Sequence, residues 1–107
     1  MKSIVDEIAK KLRDDLKEAI DSFEGLYVFG SQARGDNTND SDIDIVVLFN
    51  NAADKKTPAY YRVVSQIMYD YYGNNLDLHR RTRKELECNY SFYNEVVNKG
   101  VFYSARG

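Results

Sequence analysis

Apolar residues recur at helical spacing through the first stretch of the chain: Ile4, Val5, Ile8, Leu12, Leu16, Ile20 and Phe23, with lysines and acidic residues between them. This pattern predicts a helix from Ile4 to Phe23. Ser3 would cap it, Asp6 and Glu7 suit the positive end of the helix dipole, and Gly25 would end it. The spacing then shortens. Leu26–Phe29 predicts a buried strand, Ser31–Arg34 a short helical turn and Asp36–Ser41 a polar loop. A second strand, Asp42–Phe49, is apolar on both faces past Asp44, as expected at the centre of a sheet. After a loop over Asn50–Lys56, Thr57 and Pro58 open a second long helix whose face is Tyr60, Val63, Val64, Ile67, Met68 and Tyr71, closed by Gly73. Leu76-Asp77-Leu78 predicts a short strand, Thr82 caps a helical stretch through Cys88, and Phe92–Asn98 reads as helix. Gly100 breaks it before a final strand at Val101–Tyr103. The order α-β-turn-β-α-β-α-α-(β) predicts an α+β fold, a small mixed sheet packed with helices. The first two strands are antiparallel if Gly30 and Asp42 meet one ligand.

Composition narrows the setting. A chain of 107 residues suits one domain, and nine tyrosines argue against disorder. The net charge of −2 makes no overall case for nucleic-acid binding. Charge is nevertheless segregated, with Asp36, Asp40, Asp42 and Asp44 in one block and His79, Arg80, Arg81, Arg83 and Lys84 in another. The single cysteine, Cys88, can form no intrachain disulfide, and no His/Cys cluster surrounds it to hold zinc. The N-terminus has no apolar signal region, and no apolar run approaches the roughly 20 residues that span a bilayer. The expectation is a soluble cytoplasmic domain without a membrane partner.

The candidate chemistry lies in Gly30–Asp44. In a strand, residues i and i+2 share a face with Cα atoms roughly 6.5–7 Å apart. Asp42 and Asp44 would therefore point together while Ile43 and Ile45 face a core. Two carboxylates so placed repel and call for a cation between them, with a divalent metal the best fit. Gly30 lets the backbone turn sharply beside a ligand, and Ser31 opens a helical turn whose N–H groups and hydroxyl can hold phosphate. Asp77, a charge among apolar neighbours, is the expected third carboxylate. Three aspartates can hold two Mg²⁺ ions, one on the phosphates and one activating an incoming hydroxyl.

Gly30-Ser31, ten intervening residues and then Asp42-Ile43-Asp44 resemble the G-S-x10-D-x-D signature of polymerase-β-like nucleotidyltransferases. The fuller string, G-S-Q-A-R-G to S-D-I-D-I, is similar to the minimal nucleotidyltransferases of prokaryotes, the MNT family, over nearly the whole chain. The resemblance implies a single nucleotidyltransferase domain over residues 1–107. It also implies nucleotide phosphates on Gly30 and Ser31, metal on Asp42 and Asp44, and Asp77 as the third member of the catalytic triad. Many MNT proteins are antitoxins that transfer AMP from ATP to a tyrosine of a helical HEPN toxin. That is the function the resemblance implies here, and an acceptor delivered by a partner suits a chain with no evident second domain.

Other readings stay open on the sequence. The chain could neutralise a partner by binding alone, or modify a small molecule or an RNA end. Arg34 fits both a nucleotide-phosphate contact and a buried bridge bracing the motif loop. Arg80–Lys84 reads first as a solvated helix start and second as a triphosphate or partner contact, and the lone His79 is assigned no chemistry. The tyrosines at 60, 61, 69, 71 and 72 are expected in the core, or on a partner surface if exposed.

Overall fold

The computed structural model describes residues 1–37 and 42–106. Most of the predicted polar loop, including Asp40, lies outside these described residues. Four strands form one sheet: β1 (Phe23–Phe29), β2 (Ile43–Phe49), β3 (Leu76–Thr82) and β4 (Val101–Ser104), in the order β3-β2-β1-β4. β1 is antiparallel to β2 and to β4, whereas β2 and β3 are parallel, so the sheet is mixed. A parallel pair needs a long crossover. The helix α3 (Pro58–Asp70) makes it, with Pro58 in its first turn and the Thr57 hydroxyl accepting from the Tyr60 N–H at 3.3 Å.

The two faces of the sheet carry separate cores. On one, α1 (Ser3–Ala19) and α3 cover Leu26, Val28, Ile43, Ile45, Val47 and Phe49 with Ile8, Leu12, Leu16 and Ile67. On the other, Tyr27, Phe29, Val46 and Leu48 pack with Leu86 of α4 (Arg83–Glu87) and with Val96 of a π-helical turn, Asn94–Asn98. That turn continues α5 (Tyr90–Tyr93), and Phe92 seals its margin. Alternation along β2 and along β1 from Leu26 to Phe29 thus feeds two cores at once, which is why β2 reads as apolar throughout.

Several boundaries differ from expectation. The first helix ends at Ala19, with Ile20 already extended, and the chain re-enters as β1 at Phe23. Ile20 and Phe23 are buried in either conformation, so their spacing could not separate helix from strand. Ser3 lies inside α1, whose cap position is Lys2 with no side-chain hydrogen bond. Gly25 terminates nothing. It sits in β1 at a register shift, where a Cβ would lie 2.7 Å from the Tyr103 carbonyl oxygen and 2.8 Å from the Phe102 ring. The loop expected before Thr57 contains a 3-10 turn, Ala52–Lys56. β3 runs on to Thr82, so Arg80 and Arg81 are strand residues and only Arg83 and Lys84 open a helix. Of the tyrosines expected in the core, Tyr60 is buried and Tyr71 packs at the core margin. Tyr61, Tyr69 and Tyr72 are 48%, 80% and 93% exposed on and just beyond α3.

Candidate active site

The site lies at one end of the sheet, on the α4–α5 face. β1 ends at Phe29, which is directly across the antiparallel ladder from Asp44. Asp44 in turn stands beside Asp77 in the parallel ladder. Register alone therefore brings together two acids 33 positions apart in the chain. Beyond Phe29 the backbone turns at Gly30 (φ 73°, ψ −149°) into the four-residue helix α2 (Ser31–Arg34), closed by Gly35 in the left-handed region. A Cβ at position 30 would lie 2.5 Å from Asp44 Oδ2. The Asp44 carboxylate fills the room a side chain would need, so glycine is demanded by both the dihedrals and the neighbour.

Asp44 is half-buried, Asp42 is exposed just before β2, and Asp77 has a side chain 53% exposed. Asp77 therefore does not sit enclosed by apolar neighbours, as its strand suggested. It lies on an edge strand at the mouth of the site. Burial, followed by the charge and a shared hydrogen bond of Asp77, pushes the Asp44 carboxyl above the usual carboxylate range. Asp42 adds to this and His79 opposes it. One ligand atom each from Asp44, Asp77 and His79 lies within 4.8 Å of the others, the one such grouping among the described residues. Carboxylate and imidazole donors gathered against a glycine with no room for a side chain fit a divalent cation.

His79 is the residue the sequence reading passed over. It follows Asp77 by two places in an extended segment, so both side chains share one face of β3. Its Nε2 is 3.3 Å from Asp77 Oδ2, and its ring packs against Phe29 and Phe92 with centroids 5.6 and 5.8 Å away. The signal was visible as that two-residue spacing, once the strand is extended beyond Leu78.

Arg34 is exposed, not buried. Its Nε donates to Asp36 Oδ2 at 3.2 Å and its Nη1 to Glu95 Oε1, tying α2 to the π-helical turn. Ser31, at the start of α2, is half-buried. In the basic run, Arg80 lies on the opposite face of β3. It donates to the Lys55 carbonyl at 3.0 Å and to the Tyr61 hydroxyl at 2.7 Å, with its guanidinium over the Tyr60 ring. Arg81 stacks on Phe92. Lys55, Lys56, Leu78, His79, Arg80 and Arg81 line a cleft of about 180 Å³ beside the acidic cluster.

The model of the family described as nucleotidyltransferase domain matches residues 6–103. No curated protein sequence matches the chain. Among solved structures, the fold is similar to that of a toxin–antitoxin with AMP-PNP, at 23% identity and TM-score 0.62 over 88% of this chain and 70% of that one. A mutant of the MntA–HpeT toxin–antitoxin aligns at 21% identity and TM-score 0.59, over 92% and 70%. The complex of a tri-AMPylated Shewanella oneidensis HEPN toxin with its MNT antitoxin aligns at 19% identity and TM-score 0.57, again over 92% and 70%. These neighbours share the fold, and the family model covers β1, β2, β3 and α3 whole and most of α1 and β4; the chain belongs to the nucleotidyltransferase domain family.

Proposed function

We propose that this protein transfers AMP from ATP to a tyrosine hydroxyl of a HEPN-type toxin, and that it acts in the cytoplasm as the antitoxin of a toxin–antitoxin pair. The observation that carries the reading is the abutment of Gly30, Asp44 and Asp77. The turn suited to a nucleotide phosphate and the acids suited to a metal are held in one place by strand register. Fold likeness to the MNT antitoxin in complex with its AMPylated toxin supports the choice of acceptor.

In this reading Gly30 and Ser31 hold the phosphates and orient the α-phosphorus, and Arg34, held by Asp36 and Glu95, keeps α2 in place or reaches a phosphate itself. Asp42, Asp44 and Asp77 would hold Mg²⁺, expected as two ions, which supplies charge neutralisation on the phosphates and acidifies the attacking hydroxyl. Asp77, more exposed than Asp44, faces the incoming acceptor and takes its phenolic proton. The tyrosine oxygen bonds to the α-phosphorus, the bond to the β-phosphate bridging oxygen breaks, and pyrophosphate leaves. Positioning and fixed charge provide most of the rate in such transfers.

The test incubates the protein with α-labelled ATP, Mg²⁺ and a HEPN-type toxin. Label is expected on the partner, and none with Asp42→Asn/Asp44→Asn; transfer that survives the double substitution rejects the mechanism. The exposed Tyr61, Met68, Tyr69 and Tyr72 favour a second reading, neutralisation by occlusion, in which α3 docks the partner. Rescue from toxicity by the same double variant would select it.

A further inference from the structure

We infer that His79 is a direct ligand of the divalent cation, joining Asp44 and Asp77 in a mixed imidazole–carboxylate set that favours a transition-metal dication over Mg²⁺. The inference rests on the reading of this cluster as a cation site and adds a ligand and a metal preference to it. Two donors in adjacent positions on one cation, each about 2.1 Å from it, stand about 3 Å apart. His79 Nε2 and Asp77 Oδ2 are separated by 3.3 Å, and one ligand atom each from Asp44, Asp77 and His79 lies within 4.8 Å of the others. The donor atoms are thus gathered before any cation arrives.

The ring is also held in place. It is half-buried between Phe29 and Phe92, whose own centroids are 5.5 Å apart. An imidazole fixed by apolar packing with one nitrogen turned to the Asp77 carboxylate loses little freedom when it binds a metal. The nitrogen donor sets the preference. Mg²⁺ takes oxygen ligands and keeps its waters, whereas imidazole suits later first-row dications. Charge agrees with this, because neutral imidazole with two carboxylates neutralises a dication without the excess negative charge of a third acid. Asp42, exposed and outside the grouping, remains available to the second ion of the proposed pair.

The chain contains one histidine, so any imidazole bound to metal in the untagged protein is His79. The experiment is pulsed EPR of the protein with Mn²⁺ alone, in natural-abundance and ¹⁵N-histidine forms, alongside competition of Mn²⁺ and Zn²⁺ with Mg²⁺. We expect a histidine nitrogen coupling that changes with the isotope and is lost in His79→Phe, which retains the aromatic packing. The same variant should bind Mn²⁺ and Zn²⁺ at least about tenfold more weakly, the smaller end of losses seen when a metal ligand's support is removed, with a smaller change for Mg²⁺. Bound Mn²⁺ without nitrogen coupling, no Mn²⁺ binding, or unchanged affinity in a folded His79→Phe overturns the inference and leaves only a His79–Asp77 ion pair. A nitrogen coupling in a protein that labels no acceptor upholds the ligand while rejecting AMP transfer, so the two fail separately.

Discussion

At the scale of single residues, Gly30 is the most constrained position in the site. Its φ of 73° and ψ of −149° fall where only glycine is comfortable, and a methyl group there would press on Asp44 Oδ2. Gly30→Ala is expected to lose nucleotide transfer and about 1–3 kcal/mol of stability, measurable by urea denaturation. Asp44 has the opposite character. Burial and Asp77 hold its carboxyl above the ordinary range, so its charged form destabilises the fold when no cation is present. Metal-free Asp44→Asn should therefore melt higher, by about 2–4 °C, a fraction of a kcal/mol in a domain of this size. Added divalent cation should raise the melting temperature of the parent protein and not of the variant. The closeness of Gly30 and Asp44 is legible from spacing because that motif is local, whereas Asp42 and Ser31 stand as candidates from the same motif. The apolar neighbours of Asp77 in sequence suggest a burial that the structure does not give it. What makes it a neighbour of Asp44 is a ladder partner 33 positions away, and no periodicity records that.

At the scale of elements, termini were read well where side chains close them and poorly where packing does. Thr82 was recognised as a cap and makes a full capping box: its hydroxyl accepts from the Glu85 N–H at 3.2 Å, while Glu85 Oε1 accepts from the Thr82 N–H at 2.8 Å. Lys55, followed by Thr82, holds the Glu85 carboxyl down to about 2 from an ordinary 4.5. Since the folded value is the lower one, this stabilisation is complete above pH 4.5 and lost as pH falls towards 2, reduced throughout by solvent screening at an exposed site. Thr82→Ala is expected to cost about 1 kcal/mol, read as a lower midpoint in urea at neutral pH. Its loss should loosen the end of β3 and the start of α4 together. The first helix shows the converse. Ile20 and Phe23 continue its apolar spacing past its end, because a buried strand and a buried helix face ask for the same residues. The pattern predicts too short a β3 for a related reason, since His79-Arg80-Arg81 carries no apolar alternation to betray a strand.

At the scale of the whole molecule, the two ends of the chain are joined on the side of the sheet away from β3. The Tyr103 hydroxyl of β4 donates to Asp6 Oδ1 of α1 at 2.7 Å across 97 positions. That bond lowers the Asp6 carboxyl and, with burial as the larger cause, raises the Tyr103 phenol. Tyr103→Phe should cost about 1 kcal/mol in a denaturation midpoint and leave nucleotide transfer intact, because two strands, β1 and β2, lie between it and Asp77. The α+β class and the antiparallel first pair could be anticipated from the element order and the need for Gly30 and Asp42 to converge. The division into two cores could not, because apolar residues on both sides of β2 look the same whichever helices cover them.

The placement of β3 at the sheet margin bears on solubility as well as chemistry. A seven-residue outer strand exposes a row of backbone donors and acceptors that another strand could extend. Arg80, Arg81 and the flanking Lys55 and Lys56 surround this margin with positive charge, which sets two such strands against each other when molecules meet edge to edge. Neutralising that cluster to probe anion binding would also remove the barrier to self-association, so loss of activity in such variants has to be separated from the onset of fibrillar growth.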